Sequence, residues 1–305
     1  MQIVQGLESF RPDAGGGVVA LGVFDGVHLG HRAILAAAVS AARRLHVPPL
    51  ACTFDRHPME VLQPERAPLP ITTLEERLDL IAATGVDTVL VLAFTRELAA
   101  VEPEAFVKDV LAGRLRAREV VVGFNHRFGR GARGDTALLE RLGREFGFRT
   151  EVVPPLSLGG VPVSSTEIRA ALLGGDVEQA AAFLGRPYRI HGAVVRGAGR
   201  GHTLGFPTAN LLPDRPLLVP TGVYACRAWL DPRSLPAVVN VGRRPTFGET
   251  TLSVEAHILD FDEDLYGGAI GLDFVARLRD EQKFPSIEAL KSRIALDVAE
   301  ARQRL

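Results

Sequence analysis

The stretch GVFDGVHLGH (residues 22–31) connects a pattern typical of a buried strand to one typical of a helix. VVALGVF (18–24) predicts the strand, and RAILAAAVSAARRL (32–45) predicts the helix. In an open parallel sheet, ligands bind beyond the carboxyl ends of the strands, where this turn lies. Glycines let backbone N–H groups approach an anion, and the helix N-terminus adds a positive dipole end. The turn therefore predicts an α/β fold with a candidate anion site.

Strand and helix patterns alternate from this turn to about residue 185. Further strands are predicted over LACTF (50–54), TVLVLAF (88–94), EVVVGF (119–124) and TEVVPP (150–155). Further helices are predicted over TLEERLDLIAATG (73–85), EAFVKDVLAGRL (104–115), TALLERLGREFG (136–147) and VEQAAAFLG (177–185). Repeated β-α units of this kind indicate a parallel sheet covered by helices.

After residue 185 the pattern changes to short strands separated by Gly and Pro turns. These strands are predicted over YRIHGAVV (188–195), GVYACRAWL (222–230), PAVVNVG (236–242), LSVEAHIL (252–259) and GLDFVARLR (271–279). Their spacing indicates a small barrel or sandwich, and SIEALKSRIALDVAEARQRL (286–305) returns to helix. We therefore predict two domains, residues 1–185 and residues 186–305.

The composition is that of a soluble globular protein, with 47% hydrophobic and 23% charged residues. A formal net charge of −1 argues against a nucleic acid as partner, because such binding neutralises many phosphates. The N-terminus has no basic segment followed by an apolar core, and no apolar run approaches the ~20 residues that span a bilayer. We therefore expect a cytoplasmic protein without a membrane partner; the sequence leaves its oligomeric state open.

The few cysteines and lysines argue against two further kinds of site, a thiol nucleophile and a Walker phosphate loop. Cys52 and Cys226 lie in apolar strand patterns, which predicts buried thiols without a catalytic role. None of the three lysines, Lys108, Lys283 and Lys291, follows a glycine, which excludes a Walker phosphate loop.

His28 and His31 lie one helical turn apart within the opening stretch. They could bind a metal, act as acid or base, or hold a phosphate. Zinc usually takes at least three protein ligands, and no third ligand follows nearby, so metal binding is the weaker interpretation. The structural alternative is a capped turn with surface imidazoles. The local chemistry favours phosphate binding.

A second candidate phosphate site begins the helix pattern VSSTEIRAAL (163–172). Ser164 and Glu167 have the spacing of a capping box, which is a structural explanation for that pair. Ser165, Thr166 and Arg169 could donate to a polyphosphate at the helix start. Alone, Arg169 is equally well explained as a solvated surface charge.

The stretch GAGRGHTLGFPTANL (197–211) combines a glycine-rich loop with an extended segment. The loop is suited to cover phosphates, although an ordinary hairpin explains it as well. Thr208 and Asn210 are separated by one residue, so on an extended chain both face the same side. Together they could address one magnesium–phosphate group, because Mg²⁺ prefers oxygen ligands.

A carboxylate, Glu255, interrupts the strand pattern within SVEAHILDFDEDLYG (253–267). By alternation it faces away from Val254 and Ala256. Facing a site it could be a general base, but the pattern alone favours a solvated side chain. The acidic turn that follows lacks the loop length and glycine placement of an EF-hand, which argues against calcium.

The first group of motifs resembles a known superfamily. HLGH (28–31) and SSTEIR (164–169) are similar to the signature elements of nucleotidyltransferases. TFDRHP (53–58) and VVGFNHRFGRGARGD (121–135) resemble the FMN adenylyltransferase module of bacterial bifunctional riboflavin kinase/FAD synthetases, over about residues 15–185. Two positions depart from that pattern: Arg56, where a proline is more usual, and His126, where an aromatic residue is expected.

The later motifs resemble the riboflavin kinase module of the same family, from about residue 186 to the C-terminus. They are LGFPTANL (204–211), GVYAC (222–226), VNVGRRPTFG (239–248), VEAHILDFDEDLYG (254–267) and FVARLRDEQKFPS (274–286). The resemblance implies a Rossmann-like nucleotidyltransferase domain followed by a six-stranded barrel with a C-terminal helix. It also implies an enzyme that converts riboflavin and ATP to FMN, and then FMN and ATP to FAD and pyrophosphate, with Mg²⁺ as cofactor.

The resemblance further implies individual roles. Glu255 would be the kinase base, and Thr208 and Asn210 would hold Mg²⁺ and phosphates. His28, His31 and Arg169 would act in adenylyl transfer. The remaining positions implied to bind ATP or flavin are Gly22, Phe24, Asp25, Gly26, Gly30, Asn125, Ser164, Ser165, Thr166, Gly199, Gly201, Gly205, Pro207, Arg279 and Phe284.

Two rival functions remain open at this point. HLGH and SSTEIR alone would permit an adenylyltransferase for another mononucleotide, although the later motifs argue against it. A flavin-binding sensor without turnover is the other rival. Flavin binding without product formation would identify it.

Overall fold

A computed structural model describes residues 1–197, 201, 204–246 and 249–305, with the side chains of 244–251 outside the description. The predicted phosphate-loop residue Gly199 lies outside the described residues. The chain divides into two compact units, Met1–Ser165 and Thr166–Leu305. The second unit thus includes the helices that precede residue 186, whereas the domain boundary at 185/186 remains a prediction.

The first unit is built on six parallel strands in the order β1-β4-β3-β2-β5-β6. The strands are β1 Gln2–Gln5, β2 Gly17–Leu21, β3 Pro49–Phe54, β4 Thr88–Leu92, β5 Ala117–Gly123 and β6 Arg149–Val153. The helices are α1 Leu29–Leu45, α2 Pro58–Leu62, α3 Leu74–Ala82, α4 Arg96–Ala99, α5 Pro103–Ala105 and α6 Thr136–Phe146, with a π-helix over Phe106–Arg114. A two-stranded hairpin, β7 Ser157–Leu158 and β8 Val161–Pro162, precedes the end of the unit.

Both faces of this sheet are covered, as the continuous apolar strand patterns predict. On β2, Val18 and Ala20 pack into one core with α1 and α3. Val19 and Leu21 pack into the other core with the π-helix and α6. Alternate side chains of one strand therefore enter two cores, which confirms the predicted α/β architecture.

The second unit contains a closed barrel of six antiparallel strands in the order β10-β13-β12-β11-β14-β9. Its elements are α7 Ser165–Leu173, which spans the division between the units, α8 Val177–Leu184, β9 Tyr188–Val195, β10 Ala209–Pro213, β11 Gly222–Leu230, β12 Arg233–Thr246, β13 Glu249–Ile258, β14 Ala269–Arg279 and α9 Ile287–Arg304. The predicted six-stranded barrel and C-terminal helix are thereby confirmed.

Helix α9 covers part of the outside of the barrel. Val298 and Leu305 pack against a cluster of buried residues that includes Val223 and Val238, which identifies the outward face of β11 and β12. The opposite face of these strands encloses the barrel interior, where Tyr224 contacts Phe274 edge to face at 5.2 Å. On β12, residues two positions apart share a face, so the residue two positions after Val238 also points outward.

Several predicted boundaries were wrong. The strand predicted over 18–24 ends at Leu21, because Phe24 adopts a left-handed φ of 55° that no strand accommodates. The helix predicted over 104–115 is mostly a π-helix, Phe106–Arg114. The edge strand β1 was not predicted, because four residues with one buried side chain give little periodicity.

The cysteine prediction was correct. Cys52 and Cys226 are both free and buried. Burial raises the pKa of the Cys52 thiol to about 12 and that of Cys226 well above its ordinary value. Neither thiol is therefore poised as a nucleophile. Among the described residues, no helix has the length and apolar character needed to cross a membrane.

Candidate functional sites

The strand order of the first unit reverses at β2. Strand β2 pairs with β3 on one side and with β5 on the other. A crevice forms beyond the carboxyl ends of two such strands, and it is the usual ligand site of open α/β sheets. The turn after Leu21 and the loop after Gly123 both leave the sheet at this point. Residues 22–31, which we call the histidine turn, therefore lie beyond the carboxyl end of a parallel strand, as the sequence predicted.

The turn has an unusual backbone. Phe24, Gly26 and Val27 have φ values of 55°, 82° and 38°. Positive φ costs little for glycine but is strained for bulky Phe24 and Val27, at about 1–3 kcal/mol each. Phe24 and Val27 are fully buried, which holds them in that conformation. Such strain tends to occur where a chain must present backbone groups to a ligand.

Asp25 anchors this turn to a neighbouring segment. Its carboxylate accepts hydrogen bonds from the backbone N–H groups of Ile71 and Thr72, each at 3.1 Å, and from Thr72 Oγ1 at 3.2 Å. Thr72 Oγ1 in turn accepts from the Gly26 N–H at 3.1 Å. Asp25 is 7% exposed. Its direct contact with a ligand, implied by the family resemblance, remains a prediction, whereas its anchoring role is observed.

His28 is the N-cap of α1. Its Nδ1 accepts a hydrogen bond from the His31 backbone N–H at 3.2 Å. A nitrogen that accepts carries no hydrogen, so the ring hydrogen of neutral His28 lies on Nε2 and is a donor. The two imidazole rings stack at 3.6 Å, and His31 meets Phe24 edge to face at 5.4 Å.

This geometry bears on the choice between metal and phosphate. The His28 Nδ1 lone pair is already used in capping. Within the described part of the chain, neither His28 nor His31 belongs to a group of three or more His, Cys, Asp or Glu side chains close enough to share a metal ion. Both observations favour anion binding. They do not support zinc coordination, which usually needs three protein ligands.

Two further contacts fix the start of α1 and α7. Ser165 Oγ donates to the Asp25 carbonyl at 3.0 Å. A Cβ at Gly30 would lie 3.1 Å from the His28 ring and 3.5 Å from the Val163 carbonyl. Gly30 thus permits the close approach of the His28 ring to its helix. The beginning of the SSTEIR motif is therefore tied to the histidine turn.

The other members of that motif lie around the start of α7. Ser164 directly precedes the helix, Thr166 is exposed in its first turn, and half-buried Arg169 lies one turn after Ser165. Their ligand contacts remain predictions.

Arg77 and Thr53 are positioning residues that the sequence did not reveal. Arg77 donates to the Val23 carbonyl at 2.9 Å and to the Phe54 carbonyl at 2.7 Å. Thr53 Oγ1 donates to the Val23 carbonyl at 2.9 Å. They join the ends of β2 and β3. An arginine in a helical pattern carries no signal for this role, because it depends on tertiary placement of α3.

The loop after β5 presents three different side chains. Asn125 is exposed, as is Phe124 at 48% of its surface. His126 instead turns inward and stacks on Phe128 at 5.8 Å. Burial lowers the pKa of His126 to about 4. At position 126, where the family pattern has an aromatic residue, this chain has a neutral imidazole that stacks on Phe128.

In the second unit the structure brings Asn210 and Glu255 together. They are directly opposite on the antiparallel strands β10 and β13. Val254 and Ala256 are buried in the barrel, so Glu255 faces outward, as alternation predicted. Asn210 shares that face and is 7% exposed. Half-buried Thr208 lies two residues before Asn210, directly before β10 begins.

Two described glycines of the glycine-rich stretch, Gly197 and Gly201, approach the same residues. A Cβ at Gly197 would overlap the Asn210 side chain, and one at Gly201 would lie 3.0 Å from Thr208 Oγ1. His257 Nδ1 lies 2.8 Å from the carbonyl of Pro207, which ties the segment to β13. Gly205 has a φ of 85° and is exposed, with open space where a side chain would be.

Arg279 has a structural partner. Its Nε and Nη2 donate to Asp297 at 2.7–3.0 Å, and its Nη1 donates to the Asp280 carbonyl at 2.9 Å. Its guanidinium carbon lies 5.7 Å from the Phe284 ring centre. Asp297 is 1% exposed, so this ion pair joins β14 to α9 in the interior. The implied flavin contacts of Arg279 and Phe284 remain predictions.

Comparison with known proteins places both units in one family. A model of FAD synthetase matches residues 11–167, and a model of riboflavin kinase matches residues 184–305. A bifunctional riboflavin kinase/FMN adenylyltransferase from Escherichia coli (strain K12) is 38% identical over 305 residues, which cover 99% of this chain and 97% of the relative. A protein of the same name from Pseudomonas fluorescens is 41% identical over 303 residues, with the same coverage.

One solved structure is similar over the full length. It is described as a macrolide-efflux protein from Streptococcus pneumoniae. It has a TM-score of 0.92 and 30% sequence identity, and the match covers 99% of each chain.

Proposed function

The chain belongs to the family of bifunctional riboflavin kinases/FMN adenylyltransferases, and we propose that two separate groups of its residues perform the two reactions. The enzyme phosphorylates riboflavin with ATP to give FMN, and adenylylates FMN with a second ATP to give FAD and pyrophosphate. The observation that carries the proposal is that His28 and His31 lie in the first unit, whereas Thr208, Asn210 and Glu255 lie in the second.

Adenylyl transfer is assigned to the histidine turn. The nucleophile is the phosphate of FMN, which is already ionised, so no protein base is required. The difficulty is to bring two anions together and to stabilise the charge that develops on the leaving pyrophosphate. Donors fixed in place before the reaction are suited to this task. His28 contributes its Nε2–H to this task.

The other donors complete that assignment. His31 lies against His28, and Ser165 is held next to the turn through the Asp25 carbonyl. Thr166 and Arg169 follow Ser165 in α7, and Ser164 precedes it. Exposed Asn125 follows β5 at the same crevice. We assign these side chains to the phosphates of ATP and FMN, which accept hydrogen bonds and attract the arginine charge.

Phosphorylation of riboflavin is assigned to the outer face of the barrel. The riboflavin hydroxyl is a weak nucleophile at neutral pH, so a carboxylate that accepts its proton assists the attack on the γ-phosphorus. Glu255 is that base in the proposal. Glu255 is half-buried, so its carboxylate is only partly solvated and remains accessible to a ligand.

The oxygen donors at this site fit magnesium. The Asn210 amide oxygen and the Glu255 carboxylate share one face, and the Thr208 hydroxyl lies two residues before Asn210. Mg²⁺ takes a few protein oxygens beside substrate phosphates. Thr208 and Asn210 would hold the ion, which when bound neutralises phosphate charge. The stretch that contains Gly201 and Gly205 would cover the phosphates, because Gly201 already approaches Thr208.

Two variants test the division of labour. Purified protein is incubated with ATP and magnesium and either riboflavin or FMN, and the flavins are separated by chromatography. We expect H31A to lose FAD formation from supplied FMN while it still converts riboflavin to FMN. E255Q should show the reverse, with FMN formation reduced by about 100- to 10,000-fold, the usual contribution of a general base. Equal loss of both activities in either variant would contradict the assignment.

The remaining expectations are part of the proposal. We expect a cytoplasmic enzyme whose partners are flavins and ATP, with no nucleic acid among them. Size measurement of the purified protein in solution, with and without flavin, would determine the oligomeric state.

A further inference from the structure

Glu255 has an asparagine directly opposite it on each neighbouring strand. Asn210 pairs with it from β10, and Asn240 pairs with it from β12. Directly opposed residues of antiparallel strands point to the same face, with Cβ atoms about 4.5–5.5 Å apart. Side chains as long as glutamate and asparagine reach each other across that distance. The carboxylate is therefore bordered by an amide on both sides.

Asparagine is too rare in this chain for that placement to reflect composition. The chain contains three asparagines in 305 residues, Asn125, Asn210 and Asn240. Two of the three border Glu255. Asparagine is also disfavoured within strands, yet Asn240 lies between Val239 and Val241, which are completely buried. An interaction of the Asn240 side chain would explain its presence in the strand.

Gly242 leaves space for the Asn240 amide. A Cβ at position 242 would lie 3.2 Å from Asn240 Nδ2 and 3.1 Å from Glu281 Oε1. The amide nitrogen and the Glu281 carboxylate thus approach one point from two segments. An amide nitrogen carries two hydrogens. One of them can therefore donate to Glu255 while the other remains available to another acceptor.

We infer that Asn240 is a positioning residue for the kinase base, an inference that rests on the proposed role of Glu255. The Asn240 Nδ2–H donates to one carboxylate oxygen of Glu255 and leaves the other oxygen for the substrate. That oxygen accepts the proton as the riboflavin O–H bond breaks. The riboflavin oxygen then bonds to the γ-phosphorus as its bond to the departing ADP oxygen breaks.

The expected effect follows from the loss of one hydrogen bond to a charged group. Such a bond contributes enough to change a rate by about 10- to 100-fold when it acts in the transition state. Without Asn240 the Glu255 carboxylate is less often in the orientation that accepts the hydroxyl proton, although the substrates bind as before. The loss should therefore fall on kcat of FMN formation, with KM for riboflavin and ATP within about threefold of the original values.

The test uses two substitutions of Asn240 in the full-length enzyme. N240D conserves size but removes the amide donor, and N240A removes the side chain. Both should lower kcat of FMN formation by about 10- to 100-fold without a matching change in KM. FAD formation from supplied FMN should remain, which shows that the first unit is intact. S253A is the matched control, because Ser253 lies on the same face of β13 two residues from Glu255 and opposite Gly242; it should keep normal kcat.

A double substitution tests whether Asn240 acts through Glu255. N240A combined with E255Q should be no slower than E255Q alone, because the carboxylate it positions is already absent. A multiplicative loss would overturn the inference, as would unchanged kcat in N240D and N240A, or a loss confined to KM. If E255Q itself retains normal FMN formation, the assignment of the base fails. If E255Q is inactive and N240D is normal, only the positioning role fails.

Discussion

The imidazole rings of His28 and His31 lie face to face, 3.6 Å apart with an interplanar angle of 18°. The His31 backbone N–H also donates to His28 Nδ1, so the pair is fixed by the first turn of α1. Contacts within the first turn of the helix hold the two rings in this arrangement. Donors already in place need no reorganisation when charge develops during the reaction. The same ring therefore has a structural role at Nδ1 and a proposed catalytic role at Nε2.

Replacement of His28 by asparagine should separate these roles. Asparagine is a favoured N-cap residue, so the free energy of unfolding of H28N should lie within about 0.5 kcal/mol of that of the original protein. It lacks the ring Nε2–H and the stack on His31. FAD formation from FMN should fall by about 100- to 1000-fold, as for loss of one preorganised donor. Product chromatography and thermal unfolding measure the two effects.

The matched comparison is H28A, which removes both the cap and the donor. It should lose FAD formation and about 1 kcal/mol of stability. FMN formation from riboflavin should be normal in both variants. Near-normal FAD formation by H28N would show that His28 acts only as a cap.

Substitution of Asp25 tests whether this residue anchors the turn or binds a ligand. In D25N an amide replaces a carboxylate that accepts from Ile71 N–H, Thr72 N–H and Thr72 Oγ1. The amide nitrogen would face donors, so we expect a loss of about 1–3 kcal/mol in unfolding free energy. Urea denaturation measures this loss. T72V, which removes one of these donors and the acceptor for Gly26 N–H, should show a smaller decrease. Unchanged stability with lost FAD formation would instead assign Asp25 to the ligand.

The sequence predicted the parts of the fold that depend on local pattern. Continuous apolar runs such as LACTF and TVLVLAF identified buried parallel strands, and the glycine-rich turn after Leu21 predicted the edge of the sheet at which we expect a ligand. The register between strands was not predictable, because it depends on tertiary pairing. The pairing of Glu255 with Asn210 and Asn240 is such a case.

Positioning residues were also beyond sequence reasoning. Arg77 lies in an ordinary amphipathic helix, and only the fold shows that it donates to carbonyls at the ends of two strands. Arg279 is a second case. The motif resemblance implies a flavin contact, which stays a prediction, and the fold adds that three of its nitrogens donate hydrogen bonds within the protein. Partners distant in sequence, such as Asp297, leave no local signal.

The Arg279–Asp297 pair should contribute strongly to the stability of the barrel unit. Asp297 is nearly completely buried and also accepts from Arg293 Nε at 2.9 Å. D297N would leave the Arg279 guanidinium beside a neutral amide, and loss of a buried charge partner costs about 3 kcal/mol or more. Urea denaturation should detect this as a lower midpoint. R293Q is the control and should cost at most about 1 kcal/mol, because Arg293 is more exposed.

The two outcomes for Arg279 are distinguishable. If the residue is structural, D297N and R279M both lower stability, and FMN formation at a temperature below unfolding is retained. If Arg279 contacts flavin, R279M raises KM for riboflavin while D297N does not. Equal stability of D297N and the original protein would contradict the buried ion pair.

His126 should make the first unit acid-sensitive. Burial lowers its pKa from an ordinary 6.5 to about 4 in the folded protein. Above pH 6.5 the ring is neutral in both states and adds no pH dependence. As the pH falls from 6.5 to 4, the unfolded chain binds a proton that the folded chain does not, and stability decreases by at most about 3 kcal/mol. Below pH 4 this contribution is constant.

The substitution H126F isolates the effect, since other titrating groups cancel in the comparison. Phenylalanine keeps a ring beside Phe128, and it removes a buried Nε2 that has no hydrogen-bond partner in the described structure. H126F should be more stable by about 1 kcal/mol at pH 7. Its advantage should grow as the pH falls to 4.5, because only the histidine protein loses stability by protonation of its unfolded state. Urea denaturation at several pH values measures the difference. An advantage that stays constant between pH 7 and pH 4.5 would show that the ring is accessible to protons in the folded protein.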